Sequence, residues 1–308
     1  MLSMNYSVTK ERVIAASASQ LLNYISDFNN WGGWSPWLCL DHETIVNCQH
    51  DFLLWESKFI GVGQMKLIDN RANEVKIDLQ FIKPFKSQAN VTFGLEALSE
   101  NETKVSWRMS SKLPWFFCFF KKMFQVMIGR DFERGLIRLE HIVKLGRVPA
   151  KLEYFDIPQE VSGFKIAGLS AISSMSDIAN SMYGTFGELH ELVSEADFVP
   201  LGMVCFCDKF RISKEIMHYT VAVIYDGKII NHRELISKSI PEHKAIKVTL
   251  FGSYDFMGDA WAGAYAHLRG LKLKVDKSVP PYEVYIKGSH NTDNPEDYVT
   301  EIYMPVKS

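Results

Sequence analysis

The chain has 308 residues, 47% of them hydrophobic and 23% charged, with a formal net charge of −2. That is room for about two domains of ~150 residues each. The balanced charge, with basic pairs scattered rather than clustered, argues against a nucleic-acid surface. The five cysteines form no even disulfide framework and suit a reducing compartment.

The first residues lack a continuous apolar signal segment, and the densest apolar run, Leu113 to Phe120 (LPWFFCFF), is far shorter than the ~20 residues a spanning helix needs. A cytoplasmic protein without membrane contact is expected.

In chain order, YSVTKERVIAAS reads as a strand. Leu21, Leu22, Ile25 and Phe28 then follow at helical spacing, with Ser17 or Ser19 as N-cap. The helix is predicted to stop at NNWGGWSPW. From Thr44 to Met109, β-rich runs separated by polar turns such as DNRANE and LSENET predict an antiparallel meander. After KLPWFF, apolar residues recur every three to four positions from Phe120 to Val143, which predicts one long amphipathic helix over 119–145.

DFNNWGGWSPW after the first helix, together with the long final helix, resembles the START-like (SRPBCC, polyketide-cyclase-type) helix-grip domains over residues 1–147. The resemblance implies a curved antiparallel sheet around that helix, with a deep cavity that often holds an apolar ligand. Trp31, Trp34 and Trp37 are then either a cavity lid or a cluster sealing the end of the sheet.

Gly146 and Pro149 end the helical pattern and place a domain boundary before Lys151. Beyond it come strand-like KLEYFDI and FKIAGLSAI, a helical SDIANSMYGTFGELHELVSE, and strand-like LGMVCFCDKF and HYTVAVIYDG. KAIKVTLFG, a helix through SYDFMGDAWAGAYAHLRG and two closing strands complete the chain. The two halves of this region repeat the order strand, helix, strand, strand. An α+β fold of two pseudo-repeated units is expected.

KIAGLSAISSM, LFGSYDFMGDAW and PYEVYIKGSHNTDNPEDYVTEIYMPV, in that order, resemble the GyrI-like small-molecule-binding domain, placed at 151–308. That domain is also the effector domain of some multidrug-responsive transcription regulators. Those regulators carry a helix-turn-helix segment; here the strand-rich first half stands in its place, so direct DNA binding is not expected.

In the closing strands, alternation predicts that Val284 and Ile286 face the covering helices, as do Ile302, Met304 and Val306. Glu283, Tyr285, Glu301 and Tyr303 would then share the opposite face. A carboxylate walled by aromatic rings suits a lipophilic cation; desolvated, it also suits general acid or base work. The plainer reading is a solvated outer sheet face. The GyrI-like resemblance implies that Glu283, in its YEVY setting, is the cavity glutamate, used for hydrolysis of electrophilic small molecules in some members and only for binding in others.

Trp261 and Tyr265 stand four apart on one helix face with Tyr254 upstream, either as core or as ligand contacts. Cys205 and Cys207 read as a reduced pair on one strand face. The histidines do not gather, and NTDNPED misses the calcium-loop spacing, so neither metal nor cofactor is expected.

Three functions stay open. The first is sensing or sequestration of an amphipathic, cationic or aromatic ligand by Glu283 with Tyr285, Glu301, Tyr303, Trp261 and Tyr254. The second is hydrolysis with Glu283 as general base. The third is modulation of a protein partner, which the sequence does not name.

Overall fold

The computed structural model describes residues 3–41, 43–71, 73–84, 86–114, 119–194, 199–229 and 232–307. Cys118 and most of the apolar run before Phe119 lie outside them. The chain divides into two compact units, Met1–Pro149 and Ala150–Ser308. Among the described residues no helix is long and apolar enough to cross a membrane.

The first unit holds seven strands: β1 (Ser3–Ile14), β2 (Ile45–Gln49), β3 (Phe52–Ser57), β4 (Gly61–Arg71), β5 (Glu74–Lys83), β6 (Ser87–Ser99) and β7 (Glu102–Pro114). They form one antiparallel sheet in the order β1-β7-β6-β5-β4-β3-β2. Alternation sets its faces: on β5, Val75, Ile77 and Leu79 are buried while Lys76, Asp78 and Gln80 are partly exposed. Helix α1 (Ala18–Ser26) starts where expected, with the Ser17 hydroxyl oxygen accepting from the Gln20 amide at 3.2 Å.

NNWGGWSPW does not break the chain into a loop. Trp31–Trp34 forms one further helical turn, α2, which drives both tryptophans into the core. Helix α3 (Lys121–Leu145) runs beside β1, tied to it by the Lys10–Glu133 and Arg12–Glu140 ion pairs. It ends on Gly146, whose φ of 72° is the left-handed conformation that glycine adopts without a Cβ penalty.

Between α3 and the sheet, Trp107 stacks on Phe132 at 4.3 Å and packs against Trp34 at 5.5 Å, which in turn lies 4.6 Å from Trp31. These rings are filled core, which favours the sealing reading of Trp31 and Trp34 over a lid. Trp37 is only partly buried and donates from its indole N–H to Asp131 at 3.0 Å.

The second unit is a single antiparallel sheet. It contains β8 (Ala150–Tyr154), β9 (Gln159–Val161), β10 (Phe164–Ser174), β11 (Pro200–Arg211), β12 (Ile216–Tyr225), β13 (Ile236–Ile240), β14 (His243–Gly252), β15 (Tyr282–Lys287) and β16 (Val299–Val306). The spatial order is β13-β10-β12-β11-β15-β16-β14-β8, with β9 pairing β14.

Two helices, α4 (Ile178–Ser194) and α5 (Met257–Gly270), follow β10 and β14. The order is palindromic about its centre. Each strand-helix-strand-strand unit contributes the sequence first, third, second, and the two second strands, β11 and β15, pair with each other. Strands β9 and β13 extend the edges and were not foreseen from the sequence.

Candidate functional site

Strand β15 is central, between β11 and β16, so both of its edges are paired. Residues directly opposite each other in an antiparallel pair share a face. Glu283 stands opposite Cys205 on β11 and Ile302 on β16, whereas Val284 stands opposite Val204 and Glu301. Glu283 and Glu301 therefore lie on opposite faces of the sheet.

This corrects the expectation that Glu283, Tyr285, Glu301 and Tyr303 share one face. Alternation holds along each strand, and Ile302 and Met304 are fully buried on the Glu283 side. The error lies in the first strand: Val284 and Ile286 point away from the helices, Ile286 being 52% exposed. The register between the two strands, with its irregularity between Tyr285 and Lys287, decides the matter, and a shift of one residue reverses every side chain.

On the helix face, Glu283 is 5% exposed. Its carboxylate accepts from Trp261 Nε1 of α5 at 2.5 Å and from the Tyr285 hydroxyl. Among the described residues, no lysine, arginine or histidine forms an ion pair with it. Burial pushes the Glu283 carboxyl above the usual range, opposed by these two hydrogen bonds. Burial likewise raises the Tyr285 hydroxyl, reinforced by the Glu283 charge, and the Cys205 thiol beside it.

The aromatic wall is built from several elements. Phe186 of α4 meets Tyr285 edge-on at 5.4 Å, and Tyr254, in the turn before α5, meets it at 5.8 Å. Tyr254 also packs on Tyr298 at 4.7 Å, and burial pushes its hydroxyl up to about 12. Gly288 makes this approach possible, since a Cβ there would fall 2.2 Å from the Tyr254 hydroxyl oxygen. Trp261, Phe186, Tyr254 and Met182 are each partly exposed. Tyr265 pairs with Trp261 at 6.1 Å but is 46% exposed.

On the other face, Glu301 is neutralised. It accepts from Lys247 Nζ at 2.7 Å and from the Tyr303 hydroxyl at 2.8 Å, while Lys247 lies over the Phe155 ring at 4.5 Å. Tyr303 stacks on Tyr282 at 5.1 Å, and Tyr282 hydrogen-bonds His243 at 3.0 Å. Burial raises both tyrosine hydroxyls.

Of the six sequence candidates, Glu283, Tyr285, Trp261 and Tyr254 thus come together, while Glu301 and Tyr303 do not join them. Sequence reasoning missed Cys205 and Phe186. Phe186 carried a signal, the helical spacing of Ile178, Met182 and Phe186; Cys205 carried none without the β11–β15 register. Among the described residues no group of three or more His, Cys, Asp or Glu gathers as a metal site.

Residues 159–307 match the family described as the GyrI-like small molecule binding domain, and this part of the chain is such a domain. No curated protein matches the chain. Among solved structures, the EcmrR C-terminal domain is similar at 20% identity, covering 52% of this chain and 97% of that one, with a TM-score of 0.40. EcmrR in its DNA complex is similar at 18% identity, covering 59% of this chain and 66% of that one, with a TM-score of 0.43. SAV2435 bound to tetraphenylphosphonium is similar at 18% identity, covering 51% of this chain and 94% of that one, with a TM-score of 0.38.

Proposed function

We propose that this GyrI-like domain binds a lipophilic cation between its helices and the helix face of its sheet, with Glu283 as counter-charge. One observation carries the reading: Glu283 is a nearly fully buried carboxylate whose described partners, Trp261 and Tyr285, are both neutral donors. An ionised carboxylate held there without a cation is costly. A cation set among Tyr285, Tyr254, Phe186 and Trp261 offsets that cost by Coulomb attraction in reduced dielectric and by the ring quadrupoles.

Sensing or sequestration in the cytoplasm is the matching role; the thiols of Cys39, Cys48, Cys205 and Cys207 support a reducing compartment. For the first unit we propose a START-like helix-grip domain, a reading supported by its seven-stranded antiparallel sheet and the 25-residue helix α3.

The test is thermal unfolding of the full chain with tetraphenylphosphonium and with neutral triphenylphosphine oxide. Wild type is stabilised by the cation, Glu283→Gln is not, and the neutral compound treats the two alike. Equal stabilisation of both proteins by the cation contradicts the reading.

A second reading, hydrolysis of an electrophilic small molecule, is favoured by the raised Glu283 pKa, which brings the carboxylate nearer to the range of a working general base. It requires turnover that Glu283→Gln abolishes.

A further inference from the structure

The turns at the two ends of the first sheet differ in charge. At one end lie the β3–β4 turn with Lys58, the β5–β6 turn with Lys83 and Lys86, the end of β7 with Lys112, and the start of α3 with Lys121 and Lys122. All but Lys121 of these lysines are exposed. Neither Leu79 to Leu95 nor Thr103 to Arg130 contains a single Asp or Glu. At the other end, the turns carry Asp51, Glu74, Glu100 and Glu102 together with Arg71, and the basic side chains there are engaged in ion pairs, Arg71 with Asp69 and Lys76 with Glu74.

The basic end also carries exposed aromatic surface. Phe119 is 89% exposed and Phe120, the residue before α3, is 48% exposed; one turn and more along the helix, Met127 is 45% exposed. A phenylalanine left that open costs free energy in water, and here Lys121 and Lys122 follow it directly in the chain; the exposed acids of this end, Glu43 and Glu56, lie beside Lys58 at the β2–β3 edge, at the opposite side of the sheet from β7 and β1.

We infer that this end of the first unit docks reversibly on an anionic lipid surface, with Phe119 and Phe120 entering the interface and the lysines meeting headgroup charge. Two features favour a bilayer over an acidic protein or nucleic acid. Phe119 and Phe120 directly precede α3 with their rings exposed, where they can enter a boundary of headgroups and acyl chains. The lysines also sit on separate elements at one sheet end, two turns, the end of β7 and the start of α3, a spread that matches a diffuse negative surface better than a single carboxylate. A surface contact of this kind needs no spanning helix.

The experiment is co-sedimentation of the full chain with phosphatidylcholine vesicles, with and without about 30% phosphatidylserine, at about 0.1 M and 0.5 M salt. The chain is expected to pellet only with anionic vesicles, and less at the higher salt. The double variant Phe119→Ser, Phe120→Ser should lower partitioning about tenfold, and Lys86→Gln or Lys112→Gln about fivefold each. Unfolding temperature, read in parallel, should stay at the wild-type value for the lysine variants, so a misfolded aromatic variant does not decide the outcome.

Equal binding to neutral vesicles, or anionic binding indifferent to both kinds of variant, overturns the inference. So does binding of poly-glutamate or an oligonucleotide, with the same residue dependence, in the absence of vesicle binding.

Discussion

Glu283 and Glu301 sit on paired strands of one sheet, yet their surroundings differ in kind. Glu301 has a lysine at 2.7 Å and a tyrosine hydroxyl at 2.8 Å, and an aromatic ring supports that lysine in turn. Glu283 is more buried, and both of its described hydrogen-bond donors are uncharged. A carboxylate with its own cation is a structural ion pair. In the proposed reading, one held in the interior by neutral donors is poised for a cation from outside, at a cost to stability.

The contrast breaks most sharply on ligand affinity. Glu283→Gln should weaken a lipophilic cation by about 2 kcal/mol or more, on the order of 30-fold, read by calorimetric titration. Glu301→Gln should leave that affinity unchanged. Next comes Trp261→Phe, which keeps a ring but removes the indole donor to Glu283. The carboxylate pKa then rises further, and cation affinity near neutral pH falls by about 1.5 kcal/mol.

Stability should move the other way. Because the folded-state pKa of Glu283 is raised, the native chain holds that proton to higher pH than the unfolded chain does. Its contribution is fully present below the unfolded value of about 4.3 and is lost as pH rises through the folded value. Glu283→Gln removes that loss, so chemical denaturation should show the free variant more stable than wild type by about 1 kcal/mol at neutral pH, and the advantage should vanish in acid. The smallest effect belongs to Glu301→Gln, which disrupts a partly exposed pair and should cost less than about 1 kcal/mol.

Much of the architecture was legible because it rests on local chemistry. Ser17 caps α1, Gly146 closes α3, and period-two alternation marks β5 to β7. The rough internal copy in the second half corresponds to the palindromic strand order. Helix α1 stops before NNWGGWSPW as expected, at Ser26, but the segment, whose glycines and following proline resemble a turn, forms a short helical turn of its own because Trp31 and Trp34 are buried there.

The candidate site was half legible. Trp261 and Tyr254 fell on the right helix and turn, and Glu283 with Tyr285 lay on one face by alternation. Which face could not be read from YEVY, because the more apolar pair, Tyr282 and Val284, lies on the face away from the helices, where Tyr282 is also buried. That choice rests on register with β11 and β16, a long-range property. The same pairing brings Cys205 opposite Glu283 and gives Glu301 its own lysine across the β14–β16 ladder.

The most direct test is the affinity of tetraphenylphosphonium, a permanent cation, from about pH 4 to pH 8. In wild type the affinity should climb as pH rises through the raised Glu283 pKa and then level off, whereas in Glu283→Gln it should be weak and flat. A flat wild-type profile, or the same climb in both proteins, would contradict Glu283 as the counter-charge.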